Sequence, residues 1–192
     1  MQKRRQFHRV WRGLWYMVGL VVLAFGITMN TKTGLGISPI VSVAYAVSQV
    51  GGWNFGDMTF GLYAIFVAVQ LVLHGRSDLP AEEKKKRLGL DVLQMPFSLL
   101  FTRAMNVFLL VLPDVSQSPA SIRALALLSA IAATGIGAAM SLDMHLVPNP
   151  GDGIVQTLSD TLRKPLGLVK NGFDAGNIAL ALVLALWRQC WG

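Results

Sequence analysis

Arg103 and Asp174 lie within long apolar runs of this chain, and Asp152 lies beside a break that follows one. If those runs cross a bilayer, ionisable groups inside them are costly and mark ion, proton or substrate paths. Arg103 falls near the middle of an apolar run over 92–112, where an arginine costs about 2.5–3.5 kcal/mol to insert. It is expected to face the interior and meet an acid, with Asp174, Asp152 and Asp57 as the candidates. Asp174 shares a stripe with Asn171 and Asn177, spaced three apart, and Gln94, Ser98 and Thr102 form a second stripe, spaced four apart. Both spacings place their members on one helix face. Two such stripes facing each other line a pathway or lock helices together.

Asp152 has two compatible readings. It can carry a proton or cation, or, in the sequence Asn149-Pro150-Gly151-Asp152-Gly153, it can serve the first turn of a helix by satisfying backbone N–H groups and the helix dipole. No catalytic residue is identified. The serines lack a positioned His/Asp partner, no glycine-rich loop carries a phosphate-binding lysine, and the three histidines, His8, His74 and His145, are far apart. The single cysteine, Cys190, excludes an internal disulfide and a thiolate metal site. No metal and no cofactor is expected.

These residues must be positioned by helices, some of them broken. Thr33-Gly34-Leu35-Gly36-Ile37-Ser38-Pro39 and Leu146-Val147-Pro148-Asn149-Pro150-Gly151-Asp152-Gly153 each follow a long apolar run. In the first, Gly34 and Gly36 break the helix, and Ser38 followed by Pro39 restarts it, serine being a good N-cap and proline favoured at the first helical position. The helix over 39–50 would rise only about 18 Å, against a hydrocarbon core of roughly 30 Å. It is therefore expected as a half-helix, as is 150–162. Free N–H groups at such a tip suit an anion. Asp152 already supplies negative charge at the second tip, whereas Gly36–Ser38 is left open for an anionic group.

Composition agrees. The chain is 53% apolar and 14% charged, with a mean hydropathy of +0.51, whereas a soluble domain carries about 25% charged residues. Spans are predicted over 14–31, 55–74, 92–112, 122–142 and 168–187, with a separate surface helix over 78–87 and an interfacial anchor at Trp187 and Trp191. Gly19 and Gly26 in the first span, and Gly135 and Gly137 in the fourth, would let helices approach closely. The net charge of +7 does not point to nucleic acid, because the cations cluster between the apolar runs. With the N-terminus taken as cytoplasmic, that side holds Lys3, Arg4, Arg5, Arg9, Arg12, Arg76, Lys84, Lys85, Lys86, Arg87, Arg163, Lys164 and Lys170. The outer side holds Lys32, Arg123 and Arg188. That bias sets the orientation and places the two broken stretches on opposite sides.

The chain also repeats. Shifted by 111 positions against itself, it pairs Gly26 with Gly137, Met29 with Met140, Leu35 with Leu146, Pro39 with Pro150, Ser48 with Ser159, Gly56 with Gly167 and Gly61 with Gly172, with leucine, alanine and valine matches besides. The glycines and the proline carry the weight, because they mark backbone geometry. Three spans per repeat invert the second copy, and inverted repeats with interrupted helices at matching positions point to a transporter site near the midplane. The third helix of the second copy would start beyond residue 192, so the chain is read as a six-span protein cut short or a five-span form completed by dimerisation.

Gly34-Leu35-Gly36-Ile37-Ser38-Pro39 and Pro150-Gly151-Asp152-Gly153 resemble the paired motifs of the YczE/YitT-like small bacterial membrane proteins. The resemblance covers nearly the whole chain. It implies a multi-pass membrane protein built of two three-helix repeats rather than a particular reaction. Where that family often has Trp-Asp after the first proline, Ile40-Val41 stand here, so an acidic role at that position is lost.

The expected fold is an all-α polytopic membrane helix bundle: five transmembrane helices, two short broken helices, and inverted repeats over about 14–113 and 125–192 in one integral domain, the second incomplete. The expected function is a small secondary transporter or permease of the bacterial inner membrane, oligomeric, moving a small solute or ion. The substrate or ion path would involve Gly34, Gly36, Ser38, Pro39, Arg103, Asn149, Pro150, Asp152, Gly153, Asn171 and Asp174. The alternative is a non-transporting accessory or scaffold protein that uses 78–87 as its contact surface. An enzyme is not expected.

Overall fold

A computed structural model of the chain describes residues 2–144 and 147–191, with the backbone alone for 2–10, 143 and 188–191. His145, Leu146 and the side chains of His8, Arg188, Cys190 and Trp191 thus lie outside the described residues. Every described element is a helix: α1 (Gln2–Lys32), α2 (Pro39–Gly51), α3 (Phe55–Arg76), α4 (Ala81–Val111), α5 (Ala120–Asp143), α6 (Pro150–Leu162) and α7 (Leu166–Trp191). Five are long and apolar enough to cross a membrane, and α2 and α6, at 13 residues each, are not. Large apolar side chains lie exposed along the long helices, among them Leu110, Leu125, Leu128, Leu168 and Val183. That is the surface a lipid environment accepts, because in lipid each helix already satisfies its own backbone.

One element departs from the sequence expectation. From Ala81 onward the charged segment and the third span form a single 31-residue helix, α4, which runs through Pro96. Between Lys84 and Val92 only Gly89 weakens the helix, at about 1 kcal/mol, too little to end one.

The repeat reappears in the element boundaries. α1 and α5 end at Lys32 and Asp143, α2 and α6 run over Pro39–Gly51 and Pro150–Leu162, and α3 and α7 begin at Phe55 and Leu166. Each pair differs by the same 111 positions. Even the stops correspond. Gly52 after α2 and Arg163 after α6 both adopt the left-handed conformation, and both backbone N–H groups bond back, to the Ser48 and Ser159 carbonyls. Arg163 is the one non-glycine residue with positive φ among those described (φ 53°). A side chain there costs about 1 kcal/mol more than glycine, so the repeat geometry prevails over local preference at that position.

The chain divides into two compact units, 1–37 with 103–148 and 38–102 with 149–192, and each draws on both repeats. In the first, α1 packs on α5. Gly26 lies against Ala130 and Thr134, and Gly137 lies against Gly19 and Leu23. These partners exchange under the 111-residue shift, and the two helices run antiparallel, so the second copy is inverted. Close approach needs the glycines: a Cβ on Gly26 would stand 2.5 Å from the Thr134 nitrogen, and one on Gly137 would stand 2.8 Å from the Gly19 carbonyl oxygen. Gly135 meets nothing within 4 Å, so of the two predicted small residues in α5 only Gly137 serves the contact. Tyr16, Leu20, Ala24, Ile27 and Ala130 form the buried seam.

Two arginines finish this unit. Arg123 donates from Nε to the Thr33 carbonyl at 3.0 Å and from Nη2 to the Gly34 carbonyl at 3.0 Å. Arg12, its counterpart in the other copy, donates to the Met144 carbonyl, and Met144 is the counterpart of Thr33. Each arginine caps the C-terminal carbonyls of the other copy's first helix, the placement that the helix dipole favours.

In the second unit, α2 packs on α7 and α3, and α6 packs on α3 and α7. The repeat relation exchanges these pairs. Its core includes Val41, Ala44, Tyr63, Val67, Phe101, Ile154 and Val155.

Candidate functional site

The second unit holds both half-helices, and they meet tip to tip. A Cβ built on Gly151 would stand 2.7 Å from Ile40 Cδ1 and 3.1 Å from Cγ1. Ile40 and Gly151 are themselves repeat counterparts, so this contact straddles the axis that relates the two copies. From this meeting point the helices diverge. The far part of α2 lies by the start of α3, Tyr45 packing edge-on to Phe55 with ring centroids 5.4 Å apart. α6 follows the other half of α3, towards His74. Two broken helices thus cover the length that one spanning helix would.

The tips are chemically different. Ser38 is the N-cap of α2, with extended backbone, yet its side chain makes no cap bond; its hydroxyl does not play the part expected of it. Asn149 caps α6, its side chain accepting from the Gly151 N–H at 3.2 Å. Capping therefore falls to Asn149. Asp152 stands in the first turn with its side chain exposed, close enough to Lys170 and Asp174 on α7 to feel their charge. Lys170 Nζ is 3.8 Å from Asp174 Oδ2, while Asp174 Oδ1 is buried without a hydrogen-bond donor. Asn171 is exposed, and Asn177 is buried and bonded to the Phe173 carbonyl of its own helix at 3.0 Å.

α6 is also held by a buried polar chain that begins and ends on it. Gln70 Nε2 donates to the Pro150 carbonyl at 3.4 Å. Gln70 and Gln94 exchange two amide hydrogen bonds, at 3.2 and 3.0 Å. Gln94 Nε2 reaches Asp91 Oδ1 at 3.5 Å, and Asp91 Oδ2 lies 2.6 Å from His74 Nδ1. His74 Nε2 then faces the Thr157 hydroxyl at 3.4 Å. Gln70, His74, Asp91, Gln94 and Thr157 are all buried. The chain thus runs from Pro150 through α3 and α4 back to Thr157. Further along α6, Arg87 of α4 holds Asp160 at 2.9 Å and Glu83 at 3.1 Å. Buried polar groups are kept when each finds a partner, and here the partners form one bracket around α6. Gly153 is part of the fit, because a Cβ there would meet Gln70 Oε1 at 2.7 Å.

The expected site residues divide accordingly. Asn149, Pro150 and Gly153 join the bracket or the aromatic wall beside it, where Asn149 sits next to the Tyr63 hydroxyl and Tyr63 stacks on Phe101 at 5.9 Å. Asp152 and Asp174 share one neighbourhood. Ser38 and Pro39 lie at the α2 tip. Gly34 and Gly36 belong to the first unit, where Gly34 (φ 63°) lies under Arg123 and against Ser116. Arg103 is exposed on α4 rather than turned to the interior. The buried face of α4 carries Gln94, Ser98, Phe101 and Thr102, and Arg103 falls one helical step off it. Gln94 meets Gln70 on α3 rather than the α7 stripe.

Gln70, His74, Asp91 and Thr157 were not expected at a site. Their signal was present: Gln70 and His74 are four apart, Asp91 and Gln94 three apart, and each pair shares a helix face.

A family model described as a family of unknown function, DUF6198, matches residues 10–190. The chain belongs to that family. No curated protein and no solved structure matches it. The match spans α1 to α7, so the half-helices, the bracket and the arginine caps all lie within the family's extent.

Proposed function

We propose that this chain is a small secondary transporter or permease of the bacterial inner membrane, with its N-terminus cytoplasmic, moving a small solute or ion past the junction of its two half-helices. The observation that carries this reading is the tip-to-tip meeting of α2 and α6 at Ile40 and Gly151. Inverted repeats with discontinuous helices place binding sites at such junctions, where helix N-termini and freed backbone groups meet a substrate without lipid contact. The likeness of its two Gly/Pro motifs to those of the YczE/YitT-like proteins supports the same architecture. Asp152, with Asp174 and its donor-free buried oxygen, supplies the acidic side of the path. Ser38 and the open α2 tip supply the electropositive side. A homo-oligomer is the assembled form.

A flux screen in proteoliposomes with a panel of small organic anions, cations and neutral solutes tests this. At least one solute is expected to cross. Asp152→Asn is expected to reduce its flux to background while the protein still inserts. Lys85→Glu with Lys86→Glu, two exposed positions on α4, is expected to leave flux intact. Protein-dependent flux that Asp152→Asn leaves unchanged would remove the assigned path. No flux for any solute, together with loss of the cellular phenotype on reversing Lys85 and Lys86, would favour an accessory role instead.

A further inference from the structure

The bracket around α6 contains more than hydrogen bonds between neutral groups. Its centre is a histidine–carboxylate pair, His74 Nδ1 to Asp91 Oδ2 at 2.6 Å, with both residues buried. A pin made only to hold helices needs no titratable member, and Gln70 with Gln94 already supplies one in the next helical turn. Imidazole is the side chain whose charge ordinarily changes between pH 5 and 8. We propose that His74 and Asp91 form a proton-binding site whose occupancy is passed to the half-helix α6 through Thr157.

The chemistry follows from the geometry. With a neutral imidazole, Nδ1–H donates to the Asp91 carboxylate, and the bare Nε2 accepts from the Thr157 hydroxyl. When a proton arrives it takes the Nε2 lone pair. The ring becomes an imidazolium paired with Asp91, and Nε2–H now donates to Thr157 Oγ1. The threonine hydrogen must then turn elsewhere, and the acceptor within reach of a helical threonine is the carbonyl four residues back, that of Gly153. Gly153 is the residue that seats the two glutamines. One proton on His74 therefore alters donor and acceptor roles on α6 at Thr157 and next to the Gln70–Gln94 pair.

The charged surroundings are few. α4 contributes Asp91 itself, Lys84, whose Nζ donates to the Gly75 carbonyl at 3.2 Å, and Arg87. α6 contributes Asp160, already paired with Arg87, and Asp152, which stands by Lys170 and Asp174. The only titratable side chain on α2 is Tyr45, which sits against Phe55 at the far end of α3. α7 reaches α3 through Phe173 on Phe66 and carries Lys170 and Asp174, paired with each other. On α3 itself Arg76 lies two residues on and Asp57 in the first turn. Among the described residues Asp91 is the one acid bonded to His74.

None of this depends on transport, so the test needs no substrate. In the full chain reconstituted in lipid nanodiscs, the probe is the proton. One histidine resonance is expected to respond to pH and to lose that response, by disappearing, in His74→Gln. Amide protection over 150–162, corrected for intrinsic exchange, is expected to shift about 5- to 150-fold with that response, the usual size of coupling between linked sites. His74→Gln keeps a donor for Asp91 and should abolish that shift while leaving helicity and elution unchanged. If this variant does not fold, Asp91→Asn serves in its place. A wild-type α6 whose protection does not depend on pH would overturn the assignment, as would a shift that survives in the variant. An absence of flux in the solute screen would leave it standing.

Discussion

Asp91→Leu is expected to cost about 1–3 kcal/mol of stability for each buried donor it strands. Asp91 is 3% exposed and lies 2.6 Å from His74. Leucine would strand the His74 N–H and loosen Gln94, whose Nε2 also reaches the lost carboxylate. Little of that cost comes from lost attraction. Most of it is desolvation of the groups left behind, because an unpaired buried donor costs more than a made hydrogen bond yields. The double substitution His74→Leu with Asp91→Leu should therefore be milder than the sum of the two single changes, and milder than Asp91→Leu alone, since replacing a whole buried pair by apolar side chains is often near neutral. Unfolding by denaturant in detergent micelles, run as a double-mutant cycle, measures this. Strict additivity would show that the two residues do not act as a unit.

Gly137→Leu is expected to abolish the packing of α1 on α5, and Gly137→Ala to destabilise it by about 1–3 kcal/mol. The added atoms would meet the Gly19 carbonyl and the Leu23 backbone, and backbone cannot yield as the far end of a side chain can. Gly135→Ala, two residues away, is the control. It meets nothing within 4 Å, so it should stabilise by about 0.5–1 kcal/mol through reduced freedom of the unfolded chain. Thermal unfolding in micelles separates the two. Equal effects at both positions would mean that the close approach is not set by Gly137.

Much of the fold was legible because its determinants are local or periodic. Pro39 and Pro150, each following a breaking stretch and a capping residue type, suit the first position of a helix, and both stand there. The 111-residue shift, read from a few glycines and prolines, proved to govern helix ends down to the left-handed residues Gly52 and Arg163. The continuity of α4 was missed because charge suggested a solvated segment, whereas helix formation depends on backbone breakers, and that stretch has none of sufficient strength. The site was harder. Asp152 stood out as an acid beside a broken helix, but the residues that hold that helix come from α3 and α4, and their meeting with α6 is a tertiary fact. His74 and Asp91 are 17 positions apart across a helical hairpin, and no spacing rule on one helix joins them. The facing of Arg103 was missed for a related reason: apolar sequence on both sides fixes its depth along a helix but not its azimuth. The matched arginines, Arg12 and Arg123, reach carbonyls 132 and 90 positions away, a pairing that no local spacing reveals.

The meeting of the two half-helices at their N-terminal tips is most directly tested by a cross-link. Ile40 Cγ1 and Cγ2 lie 3.1 and 3.7 Å from the position of a Cβ on Gly151, which brings the two Cβ atoms near the roughly 3.5–4.5 Å that a disulfide spans. In a chain carrying Ile40→Cys and Gly151→Cys, with Cys190→Ser to remove the native thiol, mild oxidation in native membranes should form a disulfide within one chain. It would be seen as a shift in mobility that reductant reverses and that either single cysteine variant lacks. Cross-linking only between separate chains, or none under oxidation that blocks both thiols, would contradict the tip-to-tip arrangement on which the reading of this protein rests.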